Sequence, residues 1–365
     1  MNLRQLRQRF VLHLDPILLS GLGALLLVSL LTLYSASGGN GERVLAQLGN
    51  IAAGFVALWV VANMPLHWLM RIAVPIYVLG MVLLVGVALF GEISHGARRW
   101  LNLGVANIQP SELMKIAVPL MMAWYFEKHE ASLTWRNYLI AAVLLAMPVA
   151  LILRQPDLGT SILISASGFF VLFLAGLSWR VILGLLVAAA ASAPFLWHAL
   201  HDYQRQRILM LFDPSQDALG KGYHTIQGMI AVGSGGLLGK GYMQGTQTHL
   251  DFLPERTTDF LFAVWAEEFG FLGNLFLLGL YVFVVGRGFV ITANASTYFT
   301  RLMAGSITLT FFIYTFVNIG MVTGILPVVG VPLPLVSYGG TSLLTLMLGF
   351  GVLMSIHTHQ RLVKT

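Results

Sequence analysis

The stretch FLPERTTDFLFAVWAEEFG, from Phe252 to Gly270, carries Glu255, Arg256 and Asp259 ahead of an apolar run, with Glu267 and Glu268 two turns further on. A carboxylate at the mouth of an apolar helix is wet enough to ionise and screened enough from bulk water to act as a general base, which makes Asp259 the candidate catalytic residue. Glu255 and Arg256 push its proton affinity in opposite senses and stand as candidate substrate contacts. The structural alternative is a helix cap, in which Asp259 shares with Thr257 or Thr258 the satisfaction of free amides. Glu267 and Glu268 have no basic neighbour in sequence, so at least one is expected to face a bundle interior.

Other ionisable residues fall at the edges of apolar segments. In QPSELMKIAVP, Pro110 and Ser111 open a helix and place Glu112 and Lys115 three apart on one face, where each can neutralise the other. The pair either pins that helix in a bundle or forms the polar floor of a cavity. In RQPDLGTS, Arg154 and Asp157 flank a turn shaped by Pro156 and Gly159, and Asp157 is placed to cap the helix that starts near Leu158. HGARRWLNLGVANIQPSE supplies Arg98, Arg99 and Trp100; arginine matches phosphate oxygens bidentately and tryptophan favours a membrane interface, so phosphate binding and ordinary headgroup contact both fit.

The elements that must hold these residues are membrane-spanning. The chain has 365 residues, 57% hydrophobic and 10% charged, too little polar surface to coat a soluble globule. Spanning helices need about 20 apolar residues each. Such windows recur near 17–35, 45–64, 70–90, 111–127, 137–154, 159–178, 180–199, 260–286, 302–325 and 341–357. The fold expected is an all-α integral membrane protein, a polytopic bundle of ten transmembrane helices in a single domain over 1–365. The first window follows Arg4, Arg7 and Arg9, but its length argues for a spanning helix rather than a cleaved signal. Lysine and arginine placement puts both termini in the cytoplasm, with Arg71, Lys128, Arg136, Arg180, Arg287, Arg301, Arg361 and Lys364 on that side. A net charge of +6 then reflects topology and contact with anionic lipids rather than nucleic acid. Cysteine is absent, which excludes disulfides and thiolate chemistry.

One long extracytoplasmic loop, about 200–259, separates the seventh and eighth windows, a length that is usually functional. It opens with the basic HDYQRQR, containing Arg205 and Arg207, and continues through YHTIQGMIAVGSGGLLGKG. The first half of the latter is amphipathic enough to lie on a membrane. Its glycines lack the spacing of a phosphate loop, and Gly241 stands where Ser or Thr is required, so a nucleotide site is rejected. GILPVVGVPLPLVSYGGTS, Gly324 to Ser342, has three prolines and no charge and is expected to be a re-entrant, cavity-lining segment, with Tyr338 at its end.

Taken in order, GARRWLNLG, QPSELMKIAVPL, QPDLGTS, HDYQRQR, FLPERTTDFLFAV with AEEFG, and GILPVVGVPLPLVSYGG resemble the RodA branch of the SEDS (shape, elongation, division and sporulation) family from His13 to His359. The resemblance implies a peptidoglycan glycosyltransferase of the bacterial inner (plasma) membrane. Such an enzyme polymerises lipid II and works with a class B penicillin-binding protein among other elongation-complex membrane proteins. It assigns the essential aspartate to Asp259 and the buried acid–base pair to Glu112 and Lys115. Family members commonly carry histidine two residues before that aspartate, where this chain has Thr257. Arg98, Arg99, Arg205 and Arg207 become candidates for holding pyrophosphate. A divalent cation, Mg²⁺ or Mn²⁺, is a natural companion of that group. The competing readings are a transporter that flips lipid II, which would depend on Glu112 and Lys115 and tolerate changes at Asp259, and a scaffold, which would tolerate both.

Overall fold

The structure is a computed structural model that describes residues 14–94, 97–102, 107–199, 205, 209, 211, 221–250, 252, 253 and 255–363. A helix lies over every apolar window: α1 (Pro16–Ala36), α2 (Gly41–Ala62), α3 (Leu66–Phe90), α4 (Pro110–His129), α5 (Trp135–Arg154), α6 (Leu158–Leu174) and α7 (Trp179–Ala199). Next come α8 (Lys221–Ser234) and the single turn α9 (Thr246–His249), both in the long loop, then α10 (Leu261–Ala293), α11 (Tyr298–Val322) and α12 (Gly340–Val363). Among the described residues seven helices are long and apolar enough to cross a membrane: α1, α2, α3, α5, α10, α11 and most of α12. The protein is therefore a multi-pass membrane protein. Of the others, α4 carries Glu112, Lys115, Glu127 and Lys128, while α6 and α7 are apolar but shorter over their apolar stretch.

Helix starts follow local chemistry. Asp15 caps α1 by accepting from the Ile17 amide at 3.1 Å, ahead of Pro16 at the first helical position. Its other oxygen takes the Arg287 guanidinium at 2.6 Å and ties α1 to α10 at the end remote from Asp259. Bare backbone lets α2 and α12 pack closely, since a Cβ at Gly351 would stand 2.7 Å from the Leu58 carbonyl.

Three features were not expected from the pattern of windows. Between α3 and α4 the chain forms a small antiparallel ribbon, β1 (Glu92–Ser94), β2 (Ala97–Asn102) and β3 (Asn107–Ile108), in the order β1-β2-β3. It carries Arg99 and Trp100. The second is that α10 is broken: Gly270 has φ +62° and ψ −157°, outside helical space. The glycine-dense turn after α8 docks on this break, with Lys240 N–H donating to the Glu267 carbonyl at 3.0 Å and Phe271 N–H to the Gly236 carbonyl at 2.8 Å. A Cβ at Gly239, itself at φ +80°, would collide with the Glu268 carbonyl, so the glycines serve backbone approach and not anion binding. The third is that α8 packs along the first half of α10, Gly228 against Phe260 and Gly235 against Ala266, with Met229 and Ile230 exposed.

The proline-rich segment between α11 and α12 is irregular, and its second half is mostly buried, including Val331, Leu333 and Val336. Its carbonyls are satisfied by side chains from the surrounding helices: Ser29 donates to Val336 at 2.6 Å and Tyr281 to Pro334 at 2.8 Å. Non-helical backbone can persist at membrane depth under those conditions.

Candidate active site

Glu112 and Lys115 lie on the first two turns of α4, which Pro110 starts at the fixed φ of a first helical residue. The Lys115 ammonium sits 2.6 Å from Glu112 Oε1 and 3.3 Å from the Tyr314 hydroxyl of α11, which in turn meets Ser342 Oγ of α12 at 3.1 Å. Glu112 Oε2 is buried without a hydrogen-bond partner among the described residues. Asp157 caps α6, accepting from the Thr160 amide at 3.1 Å on one oxygen and from Gln109 Nε2 at 3.2 Å on the other. Arg99 reaches across from β2 and donates through Nη2 to the Pro156 carbonyl at 2.7 Å, while its Nε is buried without a partner among the described residues.

Asp259 is half-buried in the turn before α10 rather than at the helix cap, which falls on Phe260. The proline-rich segment clasps this turn. Tyr338 N–H donates to the Thr257 carbonyl at 3.0 Å, Ser337 Oγ to the Thr258 carbonyl at 2.5 Å, and a Cβ added to Gly330 would stand 3.4 Å from Asp259 Oδ2.

These side chains share one cavity of about 240 Å³, whose lining includes Arg99, Glu112, Lys115, Asp157, Asp259 and Tyr338. The first turns of α4, α6 and α12 and the turn leading into α10 all contribute to its wall, so helix N-termini converge on it together with the Arg99 and Lys115 cations. The helix N-termini, Arg99 and Lys115 favour an anion such as phosphate, while Glu112, bonded to Lys115, and Asp157, which caps α6, offset part of that charge. Asp259 adds a third carboxylate to the lining. An adjoining cavity of about 50 Å³ shares Glu112, Lys115, Tyr314 and Ser342 and runs on past Pro119 and Phe350 between α4, α11 and α12.

Other expected site residues lie elsewhere. Glu255 is exposed and accepts from Thr258 Oγ1 at 2.9 Å, and Arg256 donates to the Thr248 carbonyl at 2.5 Å; neither is among the described lining residues. Trp100 is half-buried on β2, outside that lining. Arg205 donates to the carbonyls of Trp197 and His198 at 2.9 and 2.7 Å, at the end of α7. Arg207 and the side chain of Arg98 lie outside the described residues.

Glu267 and Glu268 are both buried, at the break in α10. Glu267 takes Lys240 Nζ at 2.7 Å, the Gln247 amide at 3.0 Å and Thr246 Oγ1 at 3.2 Å, and Glu268 accepts from Ser35 Oγ. Beside them burial, with Glu268 nearby, pushes the Tyr242 hydroxyl above its usual pKa. No group of three or more His, Cys, Asp or Glu side chains is gathered to hold a metal ion among the described residues.

The sequence reasoning did not single out Gln109, Tyr314, Asn318 or Ser342. Tyr314 and Asn318 stand four apart in an apolar helix, and a polar residue on such a face was the available signal.

Comparison with known proteins places this geometry in a family context. A family model described as cell cycle protein, covering FtsW, RodA and SpoVE, matches residues 11–362. The peptidoglycan glycosyltransferase MrdB of Escherichia coli K12 is 55% identical over 353 residues, 96% of this chain and 95% of MrdB. The peptidoglycan glycosyltransferase RodA of Treponema pallidum is 30% identical over 433 residues, covering 97% of this chain and all of that protein. Among solved structures, a chain of a peptidoglycan synthase complex, described in terms of coordinated polymerization and crosslinking, superposes with a TM-score of 0.83 at 31% identity. It covers 95% of this chain and 98% of its own. The rod shape determining protein RodA of Thermus thermophilus gives a TM-score of 0.71 at 28% identity, over 94% of this chain and 96% of its own.

Proposed function

The chain belongs to the FtsW, RodA and SpoVE family of cell cycle proteins, and on that premise we propose that it is a peptidoglycan glycosyltransferase of the RodA type. It polymerises lipid II into β-1,4-linked glycan strands for cell elongation. The observation that carries the reading is the single cavity in which Asp259 meets Arg99, Lys115 and a ring of helix N-termini. Lipid II joins a sugar to an undecaprenyl tail through pyrophosphate, so its enzyme needs a cationic pocket beside a base and a way into the membrane.

In this mechanism Asp259 takes the proton from the GlcNAc 4-hydroxyl of one lipid II molecule. The freed oxygen attacks the anomeric MurNAc carbon of a second with inversion, the new C–O bond forms, and the bond to phosphate breaks. The electron pair leaves on undecaprenyl pyrophosphate, whose charge Arg99, Lys115 and the helix N-termini offset. Arg98 and Arg207 are further candidates for that duty. Of the carboxylates in the lining, Glu112, whose Oε2 has no partner among the described residues, is the one that would help hold a Mg²⁺ or Mn²⁺ ion, with phosphate oxygens completing its shell. When bound, such an ion supplies further charge neutralisation.

The topology that goes with this reading is ten spans in one domain, with a re-entrant proline-rich segment and both termini on the cytoplasmic side of the bacterial inner membrane. The arginines and lysines of the alternate connections support it. The partner is a class B penicillin-binding protein. An apolar groove of about 360 Å³ between α10 and α11, lined by Leu278, Phe289, Phe312 and Phe316 among others, would seat apolar side chains of a membrane helix of that partner.

The test is polymerisation of purified lipid II by the detergent-purified complex with its cognate penicillin-binding protein, wild type against Asp259→Ala, both checked for folding and partner binding. Polymer from wild type alone is the expected result. Equal polymer from both refutes Asp259 as the base, and no polymer from either, across metals, favours the flipping transporter.

A further inference from the structure

Asp259 sits outside the regular helix, in a turn whose own closure consists of Thr258 and Phe260 N–H groups donating to the Glu255 carbonyl at 3.1 and 3.2 Å. Its backbone is held instead by Asn318, a fully buried residue one turn from the end of α11. The Asn318 amide nitrogen donates to the Asp259 carbonyl at 2.9 Å and to the Val331 carbonyl at 2.7 Å. Asn318 Oδ1 is buried without a partner among the described residues, so the donors are the half of the amide in use. The reverse amide orientation would face an oxygen with two carbonyl oxygens.

The two bonded carbonyls belong to two separate segments that both line the cavity. One is Asp259 itself; the other is Val331, next to Gly330, where an added Cβ would come within 3.4 Å of Asp259 Oδ2. A planar amide fixes the directions of its two N–H groups, so this side chain, alongside the Tyr338 and Ser337 bonds to Thr257 and Thr258, fixes the Asp259 backbone itself against the proline-rich wall. An asparagine inside an apolar helix is costly, and satisfying two buried carbonyls accounts for its presence.

We propose that Asn318 is a positioning residue for Asp259, holding the carboxylate at the distance from the acceptor hydroxyl that proton transfer requires. The inference rests on Asp259 being the base. Misplacement of a reacting group by about 1 Å costs on the order of 100-fold in rate, so the effect falls on turnover rather than on substrate affinity.

The test uses the full chain in complex with its penicillin-binding protein, comparing wild type, Asn318→Asp, Asn318→Ala, Asn318→Gln and Asp259→Ala in steady-state lipid II polymerisation. Folded fraction and partner binding are measured on each sample. The expected result is a fall of about 10- to 100-fold in kcat per folded complex for the three Asn318 variants, with KM for lipid II within about threefold of wild type. Glutamine, one methylene too long, is expected to rescue nothing. Wild-type kcat in any folded Asn318 variant, a rise in KM alone, or a loss matching only the loss of folded complex would overturn the inference. If Asp259→Ala is inactive while Asn318 variants turn over normally, the positioning role alone fails; if Asp259→Ala is fully active, the base assignment falls with it.

Discussion

Two regions of this molecule draw acids and a lysine into the protein interior, and they treat them differently. At the break in α10, Glu267 is surrounded by Lys240, Thr246 and the Gln247 amide, and a glycine-rich turn closes over the backbone. In the cavity beneath Asp259, Lys115 is bonded to Glu112 and Tyr314, yet Glu112 Oε2 and Arg99 Nε are buried without partners among the described residues, and open volume of about 240 Å³ lies beside them. A buried charge with its bonds made contributes to structure. One left with spare capacity at the wall of a cavity is prepared for something that is not protein.

That contrast can be broken at several points. Asp259→Asn removes the base and should lower polymerisation at least about 100-fold, the usual scale for losing general base catalysis, with little change in thermal unfolding. Lys115→Met leaves Glu112 buried without its cation and should cost about 3–5 kcal/mol of stability. Pairing it with Glu112→Leu should restore much of the stability but not the polymerisation, measured by thermal unfolding and lipid II turnover on the same samples. Recovery of both would make the pair purely structural.

Changes at the α10 break should behave in the opposite way. Glu267→Ala strands Lys240 and the Gln247 amide and should cost about 2–3 kcal/mol, near the lower end for a buried pair because Lys240 is partly exposed. Activity per folded complex should stay within about threefold. Gly239→Ala forces a Cβ against the Glu268 carbonyl at positive φ and should cost about 1–3 kcal/mol, read in the same unfolding assay. The smallest effect expected is for Arg99→Lys. Keeping the charge but losing the planar fork should raise KM for lipid II by roughly threefold to tenfold.

Much of the cavity was legible before any coordinates. Glu112 and Lys115 are bonded as their i,i+3 spacing requires, Asp157 caps α6 as a residue before a helix start should, and every apolar window holds a helix. Local spacing carried those readings. What could not be read depends on distant parts of the chain meeting. Lys240 pairs with Glu267 across 27 residues, and the Gly270 break falls within a single helical window, where one glycine after Glu267 and Glu268 does not announce it. The ribbon β1-β2-β3 is built from strands too short for alternation to declare them. Asn318 acts on two carbonyls, and a carbonyl has no letter in a sequence.

The account rests on the cavity being chemical and the α10 break being structural, and a paired measurement of Asp259→Asn and Glu267→Gln in the same complex tests that most directly. For each, polymer formed per folded complex is set against the shift in melting temperature. The account predicts near-complete loss of polymerisation with a wild-type melting temperature for Asp259→Asn, and a lowered melting temperature with near wild-type turnover for Glu267→Gln. The reverse pattern, or polymerisation that survives Asp259→Asn, would contradict it.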